Sequence, residues 1–155
     1  MTTIAQAATD FLAHKRIAVA GVSREPGAHG ANLVYRRLRD RGYTVFPTNP
    51  HADTVEGDHC YHDLASIPGG VDAVVVATPP AASESVVKEA DELGIKQLWM
   101  HQNCFSDDAV AYASKHGISA IAGACPLMFG PTADFGHTCM RWVLGMTGGL
   151  GEVTA

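Results

Sequence analysis

Apolar residues fall along this chain in two rhythms that alternate. Ile17, Ala18, Val19, Ala20 and Val22 show no polar alternation, and neither does Val71 to Thr78, Val-Asp-Ala-Val-Val-Val-Ala-Thr. Unbroken runs of this length suit central parallel strands covered on both faces. Tyr43 to Phe46, stopped by Pro47 and again by Pro50, Gln97 to His101 and Ile118 to Ala122 read as further strands. Between them the spacing turns helical. Thr3 caps a stripe of Ile4, Ala8, Phe11 and Leu12, and Ala31, Val34, Tyr35 and Leu38 form a second stripe closed by Gly42. Val86, Val87, Ala90 and Leu93 form a third, with Pro80 near its start, and Ser106, Asp107 and Asp108 open a fourth helix that Gly117 stops. Strand alternating with helix predicts an α/β fold: a doubly wound parallel sheet of about five to six strands with right-handed crossovers, in a single domain.

Two regions break the rhythm. Residues 51–70 read as a loop with a short edge strand, where His59, Cys60 and His62 lie close together; successive residues rarely point at one ion, so a metal site is not expected. Beyond Pro131, Thr138 to Leu144 is predicted as a short helix, and Gly145, Gly148, Gly149 and Gly151 mark a tail expected to be mobile. The organisation is thus an N-terminal helix over 1–15, a core over 16–131 and a C-terminal extension over 132–155.

Composition narrows the function. With 155 residues, 46% of them hydrophobic, the chain can bury a core of its own. A net charge of -5 argues against a general nucleic-acid binder. Lys15, Arg16, Arg24, Arg36, Arg37, Arg39 and Arg41 nevertheless crowd the first quarter, which fits a small phosphorylated ligand better than a polymer. No apolar stretch reaches the ~18 residues of a membrane span and no secretory pattern opens the chain, so no membrane partner and a cytoplasmic location are expected. Cys60, Cys104, Cys125 and Cys139 lack C-x-x-C spacing and read as reduced thiols. Nothing in the pattern fixes oligomeric state, and a homo-oligomer stays open.

Candidate chemistry sits where strands end, because open α/β sheets bind ligands beyond their carboxyl ends. The run from Gly21 through Val22, Ser23 and Arg24 to Gly30 is a candidate phosphate cradle, with backbone amides and the positive end of a helix facing an anion; an ordinary strand-to-helix turn is the alternative. Ser23 replaces the second glycine of the dinucleotide fingerprint, and Thr48 and Asn49 stand where a nicotinamide fold places an acidic residue, so NAD is disfavoured. The other strand ends offer Asn49-Pro50, Thr78-Pro79-Pro80, His101-Gln102 and Cys125. His101 with Cys104 or Cys125 could form a nucleophile pair, or these residues could simply share a pocket wall.

Ala20-Gly21-Val22-Ser23-Arg24, Gly42 to Pro50, Val71-Asp72 through Thr78-Pro79-Pro80, Trp99 with Gln102, and Cys125 to Phe129 form an ordered set. By that set the chain resembles the coenzyme A-binding domain family, small proteins similar to the nucleotide-binding domain of the succinyl-CoA synthetase alpha subunit. The resemblance implies a Rossmann-like fold that binds coenzyme A or an acyl-CoA as a non-catalytic module. A thiol-dependent enzyme acting on a CoA thioester or disulfide and an NAD(P)-dependent oxidoreductase are the alternatives. Carried over by position, Gly21 to Arg24 hold the phosphates, with Arg24 in direct charge contact. Asn49 and Pro50 border the adenosine, Thr78, Pro79 and Pro80 line the path of nucleotide and pantetheine, and Gln102 and Cys125 lie further along. Asn103-Cys104 departs from the family, which often has a glycine shortly after the glutamine. No ligase or transferase activity is expected, since the synthetase's phosphohistidine machinery belongs to another domain.

Overall fold

The computed structural model describes residues 3–25, 27, 30–129 and 151–154. Helix α1 (Ile4–Leu12) starts where the Thr3 hydroxyl accepts the Gln6 N–H at 3.1 Å. Then come β1 (Arg16–Ala20), α2 (Ala31–Asp40), β2 (Thr44–Thr48), a two-stranded hairpin of β3 (Thr54–Val55) and β4 (Asp58–His59), β5 (Ala73–Val76), α3 (Pro80–Glu92), β6 (Gln97–Met100), α4 (Asp107–Lys115), β7 (Ser119–Ala122), a 3-10 turn (Pro126–Met128) and β8 (Glu152–Thr154). The main sheet runs β2-β1-β5-β6-β7-β8, parallel except for β8.

Strand alternation divides the interior into two cores. Ile17, Val19, Val75, Trp99 and Ile121 face α1 and α2, while Ala18, Ala20, Val74, Val76, Leu98 and Met100 face α3 and α4. Both faces are covered, which is why the central strands carry no polar alternation. The small Ala18 and Ala20 and the buried Ser83 let α3 lie close; the Ser83 hydroxyl accepts the Ser106 N–H at 3.0 Å and ties α3 to the start of α4. Leu93, read as part of the α3 stripe, is instead 46% exposed.

Three expectations are corrected. Pro47 does not stop β2, which continues to Thr48. The strand lies at the sheet edge, and the Pro47 carbonyl points away from β1 to accept the Tyr61 N–H at 3.0 Å, so the missing proline donor is on the side the β1 ladder does not use. The expected short edge strand in 51–70 is a hairpin, turned at Glu56 and Gly57 (φ 49° and 82°), with Tyr61 bridging to Thr48. The tail expected to be mobile ends as β8, antiparallel to β7, with Thr154 Oγ1 donating to the Ile118 carbonyl at 3.2 Å. The helix expected over Thr138 to Leu144 lies outside the described residues, as do Cys139 and Gly145, Gly148 and Gly149.

The hairpin is bolted to α2. Tyr35 Oη donates to Asp58 Oδ2 at 2.5 Å, and Arg39 donates to the same oxygen at 2.7 Å. The tyrosine hydroxyl first, and the guanidinium second, hold the Asp58 carboxyl below the usual carboxylate range. Its contribution to stability is therefore present above the unfolded value near 4 and is lost as pH falls through the folded value. Both partners of the ion pair are over a third exposed, which caps that contribution at roughly 1 kcal/mol. Asp58→Asn is accordingly expected to flatten, without abolishing, the fall in melting temperature between about pH 5 and pH 3. Thermal melts of the two proteins across that range provide the check; parallel curves contradict the assignment.

Candidate functional site

The chain leaves β1 toward β2 on one side and later returns to β5 on the other, so the turns after β1 and β5 diverge at their carboxyl ends. A hollow of about 540 Å³ opens there. It brings together Gly21, Asn49, Pro50, Thr78 and Pro79 from the strand ends with Ala82, Val86 and Glu89 from α3 and Leu64 from the loop after β4. Leu64, Ala82 and Val86 give it apolar surface and His51, His62, Asp63 and Glu89 polar surface, and the volume is that of a small-molecule site.

Each strand-end residue has a definable task. Gly21 (φ 100°) lets the turn after β1 pass the turn after β5; a Cβ there would stand 2.5 Å from the Ala77 carbonyl oxygen. Asn49 staples β2 to the glycine loop, its Nδ2 donating to the Val22 carbonyl at 2.9 Å while its Oδ1 accepts the His51 N–H at 2.8 Å. Thr78 differs from both. Its Oγ1 is buried and has no hydrogen-bond partner among the described residues, although the residue lines the hollow. An unpaired buried hydroxyl costs about 1–3 kcal/mol, which sets Thr78 apart from the other strand-end residues.

The glycine loop is internally bonded. Asn32, 1% exposed in the first turn of α2, accepts the Ser23 N–H at 2.8 Å and donates to the Ser23 carbonyl at 2.9 Å. The Ser23 hydroxyl accepts the Glu25 N–H at 3.1 Å. Glu56, reaching over from the hairpin, accepts the Gly27 N–H at 3.0 Å and Asn32 Nδ2 at 2.8 Å through one carboxylate oxygen. Neither Asn32 nor Glu56 was legible as a site residue in the sequence. The signal for Asn32 was an amide beside an apolar stripe; Glu56 gave none, since its contact spans 24 residues.

The remaining candidates lie apart. Val22 is buried, and neither Ser23 nor the exposed Arg24 is part of the hollow's lining. Pro80 is the exposed first residue of α3 and serves its start. Gln102 and Cys125 line a smaller hollow of about 170 Å³ with His101, Gly30, Val34 and Met128, at the same end of the sheet but on the α2 side. Cys104 Sγ is 4.0 Å from His101 Nδ1, and burial pushes its thiol up, opposite to what a nucleophile needs. Among the described residues no three His, Cys, Asp or Glu side chains gather as metal ligands, and no helix is long and apolar enough to cross a membrane. The bases lining the large hollow are His51 and His62, and its acids Asp63 and Glu89 are occupied locally. Asp63 accepts the Ser66 N–H and hydroxyl, which hold it low, and Glu89 accepts the Leu64 and Ala65 amides at 2.8 and 3.1 Å.

The sequence profile of the CoA binding domain matches residues 15–131, which takes in every strand lining both hollows. This chain belongs to the CoA-binding domain family. Within the family it is 31% identical over 121 residues to an ADP-forming acetate–CoA ligase II of Archaeoglobus fulgidus, covering 70% of this chain. The chain spans only 18% of that ligase's length. An uncharacterized protein of Bacillus subtilis is nearer in size: 29% identical over 111 residues, covering 72% of this chain and 82% of the relative. A hypothetical protein of Pyrococcus horikoshii OT3, solved as a structure, superposes with a TM-score of 0.74 at 28% identity, over 81% of this chain and 88% of its own. The Rossmann-like, mostly parallel architecture is thus shared with that solved neighbour.

Proposed function

We propose that this protein binds coenzyme A, free or acylated, across the carboxyl ends of β1, β2 and β5, as a module without chemistry of its own. The observation that carries this reading is the buried, unpartnered hydroxyl of Thr78, a residue that lines the hollow at the point where strand order reverses. Family membership supplies the ligand class, and the similar ligase is named for joining acetate to CoA. The apolar part of the lining suits a purine, and the turn freed by Gly21 lets backbone come close to phosphates. Coenzyme A supplies any thiol or thioester chemistry; the protein's residues orient it and keep part of it from water. Against NAD stand Thr48 and Asn49, which put no carboxylate at the end of β2 to take ribose hydroxyls.

Isothermal calorimetry with coenzyme A and NAD tests the reading: saturable binding of coenzyme A at least about tenfold tighter than NAD is expected, and equal or reversed preference contradicts it. Thr78→Val separates ligand binding from folding. Removing the orphan hydroxyl while keeping the shape should raise the melting temperature of the free protein by a few degrees, roughly 1 kcal/mol, and weaken coenzyme A about five- to tenfold. An unchanged affinity removes Thr78 from the site.

A further inference from the structure

The contacts of Glu56 define an anion seat that is already filled. One carboxylate oxygen takes the Gly27 N–H at 3.0 Å and Asn32 Nδ2 at 2.8 Å; the other lies 3.9 Å from Arg36 Nε. The side chain is 8% exposed, so these donors meet it in a largely dry place at the start of α2. Backbone amide, side-chain amide and guanidinium are the donors a phosphate group requires; here a carboxylate takes the two amides and pairs with the guanidinium at ion-pair distance, while Arg36 Nε donates to the Asn32 carbonyl at 3.4 Å. The backbone also departs from its preference to put it there. Glu56 sits at φ 49° in the first position of a two-residue hairpin turn, where asparagine, aspartate or glycine is favoured. Asn32 and Arg36 are one helical turn apart on α2 and so face the same position. Arg39 bonds the Glu56 carbonyl at 3.1 Å, so the hairpin backbone stays anchored if the carboxylate swings away.

We propose that Glu56 is a built-in competitor for the ligand's phosphate: in the free protein its carboxylate holds the seat formed by Gly27, Asn32 and Arg36, and an incoming phosphate displaces it and takes over Arg36. This rests on the coenzyme A reading and adds the regulation of that site. Its consequence is selectivity by charge. A ligand with a phosphate at this point can evict the carboxylate, whereas an uncharged nucleoside cannot. Arg36 also becomes the phosphate's cation, a role the sequence alone had assigned to Arg24. The negative charge this role requires of Glu56 agrees with its carboxyl being held low, chiefly by Asn32 and next by the Gly27 amide.

The test compares the whole protein with Glu56→Gln and Glu56→Ala, using coenzyme A, inorganic pyrophosphate and adenosine as probes, with calorimetry for affinity and the Gly27 amide resonance for the seat itself. Expected are about tenfold tighter coenzyme A and pyrophosphate binding in both variants, no change for adenosine, and a Gly27 resonance that moves on titration. Arg36→Gln should weaken both phosphorylated probes about tenfold in either background. Unchanged or weaker coenzyme A binding in both Glu56 variants, with coenzyme A still saturable in the parent, overturns the competitor while leaving the coenzyme A reading intact. Pyrophosphate moving Gly27 in the variants while coenzyme A binds none of the proteins upholds the seat and overturns the coenzyme A reading. A Gly27 resonance that answers no probe overturns the seat whatever calorimetry shows.

Discussion

Gly21→Ala is expected to lower the melting temperature by roughly 5–20 °C and to abolish coenzyme A binding at temperatures where the variant is still folded. Two costs coincide at this residue. Its φ of 100° is foreign to residues with a Cβ, and the added carbon would stand 2.5 Å from the Ala77 oxygen, 2.7 Å from the Ala77 carbonyl carbon and 2.9 Å from the Thr78 nitrogen. All three are backbone atoms at the end of β5 and cannot yield as a flexible side chain would. Left-handed strain of ~1–2 kcal/mol and overpacking of ~1–3 kcal/mol add to about 2–5 kcal/mol, a large part of the ~5–15 kcal/mol that holds a domain folded. Relief can come only by parting the turns after β1 and β5, which displaces Thr78 and opens the hollow. Calorimetric melting and a coenzyme A titration of the variant measure both effects; a melting point within about 2 °C of the parent shows that the crossing is not as tight as described.

Trp99→Ala should be comparably damaging for a different reason. Trp99 is fully buried on β6, its ring meeting Phe11 of α1 edge-on at 5.3 Å and Phe129 at 5.6 Å, with its indole N–H donating to the Ala124 carbonyl at 2.9 Å. Truncation leaves a cavity among three elements and an unpaired carbonyl, about 3–5 kcal/mol, or roughly 6–20 °C of melting temperature. Because Trp99 fixes the segment carrying Cys125 and Met128, the smaller hollow should loosen too, while the larger one, on the opposite face of the sheet, keeps its lining. Thermal denaturation gives the first effect, and the reactivity of Cys125 toward a thiol reagent the second. A stable variant with unchanged thiol reactivity contradicts this account of the α1 face.

What the sequence disclosed followed from how local each cause was. Val71 to Thr78 is legible as a strand because a doubly covered strand must be apolar at every position, and the two cores on either side of Val74, Val75 and Val76 are that requirement met. Gly42, Gly94 and Gly117 announce helix ends because the left-handed turn they supply is a property of one residue. Pro47 misleads because a missing donor matters only on the side where a ladder forms, and that side is set by β1 and Tyr61, far away in the chain. β8 hides behind glycines because its partner, β7, lies about thirty residues earlier, so no local pattern records the pairing. The site divides in the same way. Asn49, Thr78 and Gly21 could be named from the rule that ligands gather at strand ends. Ala82, Val86 and Glu89 line the hollow at helical spacing on α3, but Val86 reads in the sequence as part of a core-packing stripe, so its place at the hollow was not legible. Asn32 and Glu56 were invisible because their contacts join α2, the loop and the hairpin only once all three have folded.

The proposal that coenzyme A sits in the larger hollow is tested most directly by following backbone amide resonances of the isotopically labelled protein as coenzyme A is added. Saturable shifts should concentrate at Gly21, Asn49 and Thr78, whereas Gly70 and Gly94, at the opposite end of the sheet, should stay still. Shifts confined to that opposite end, or none at any coenzyme A concentration, would contradict the assignment of the hollow.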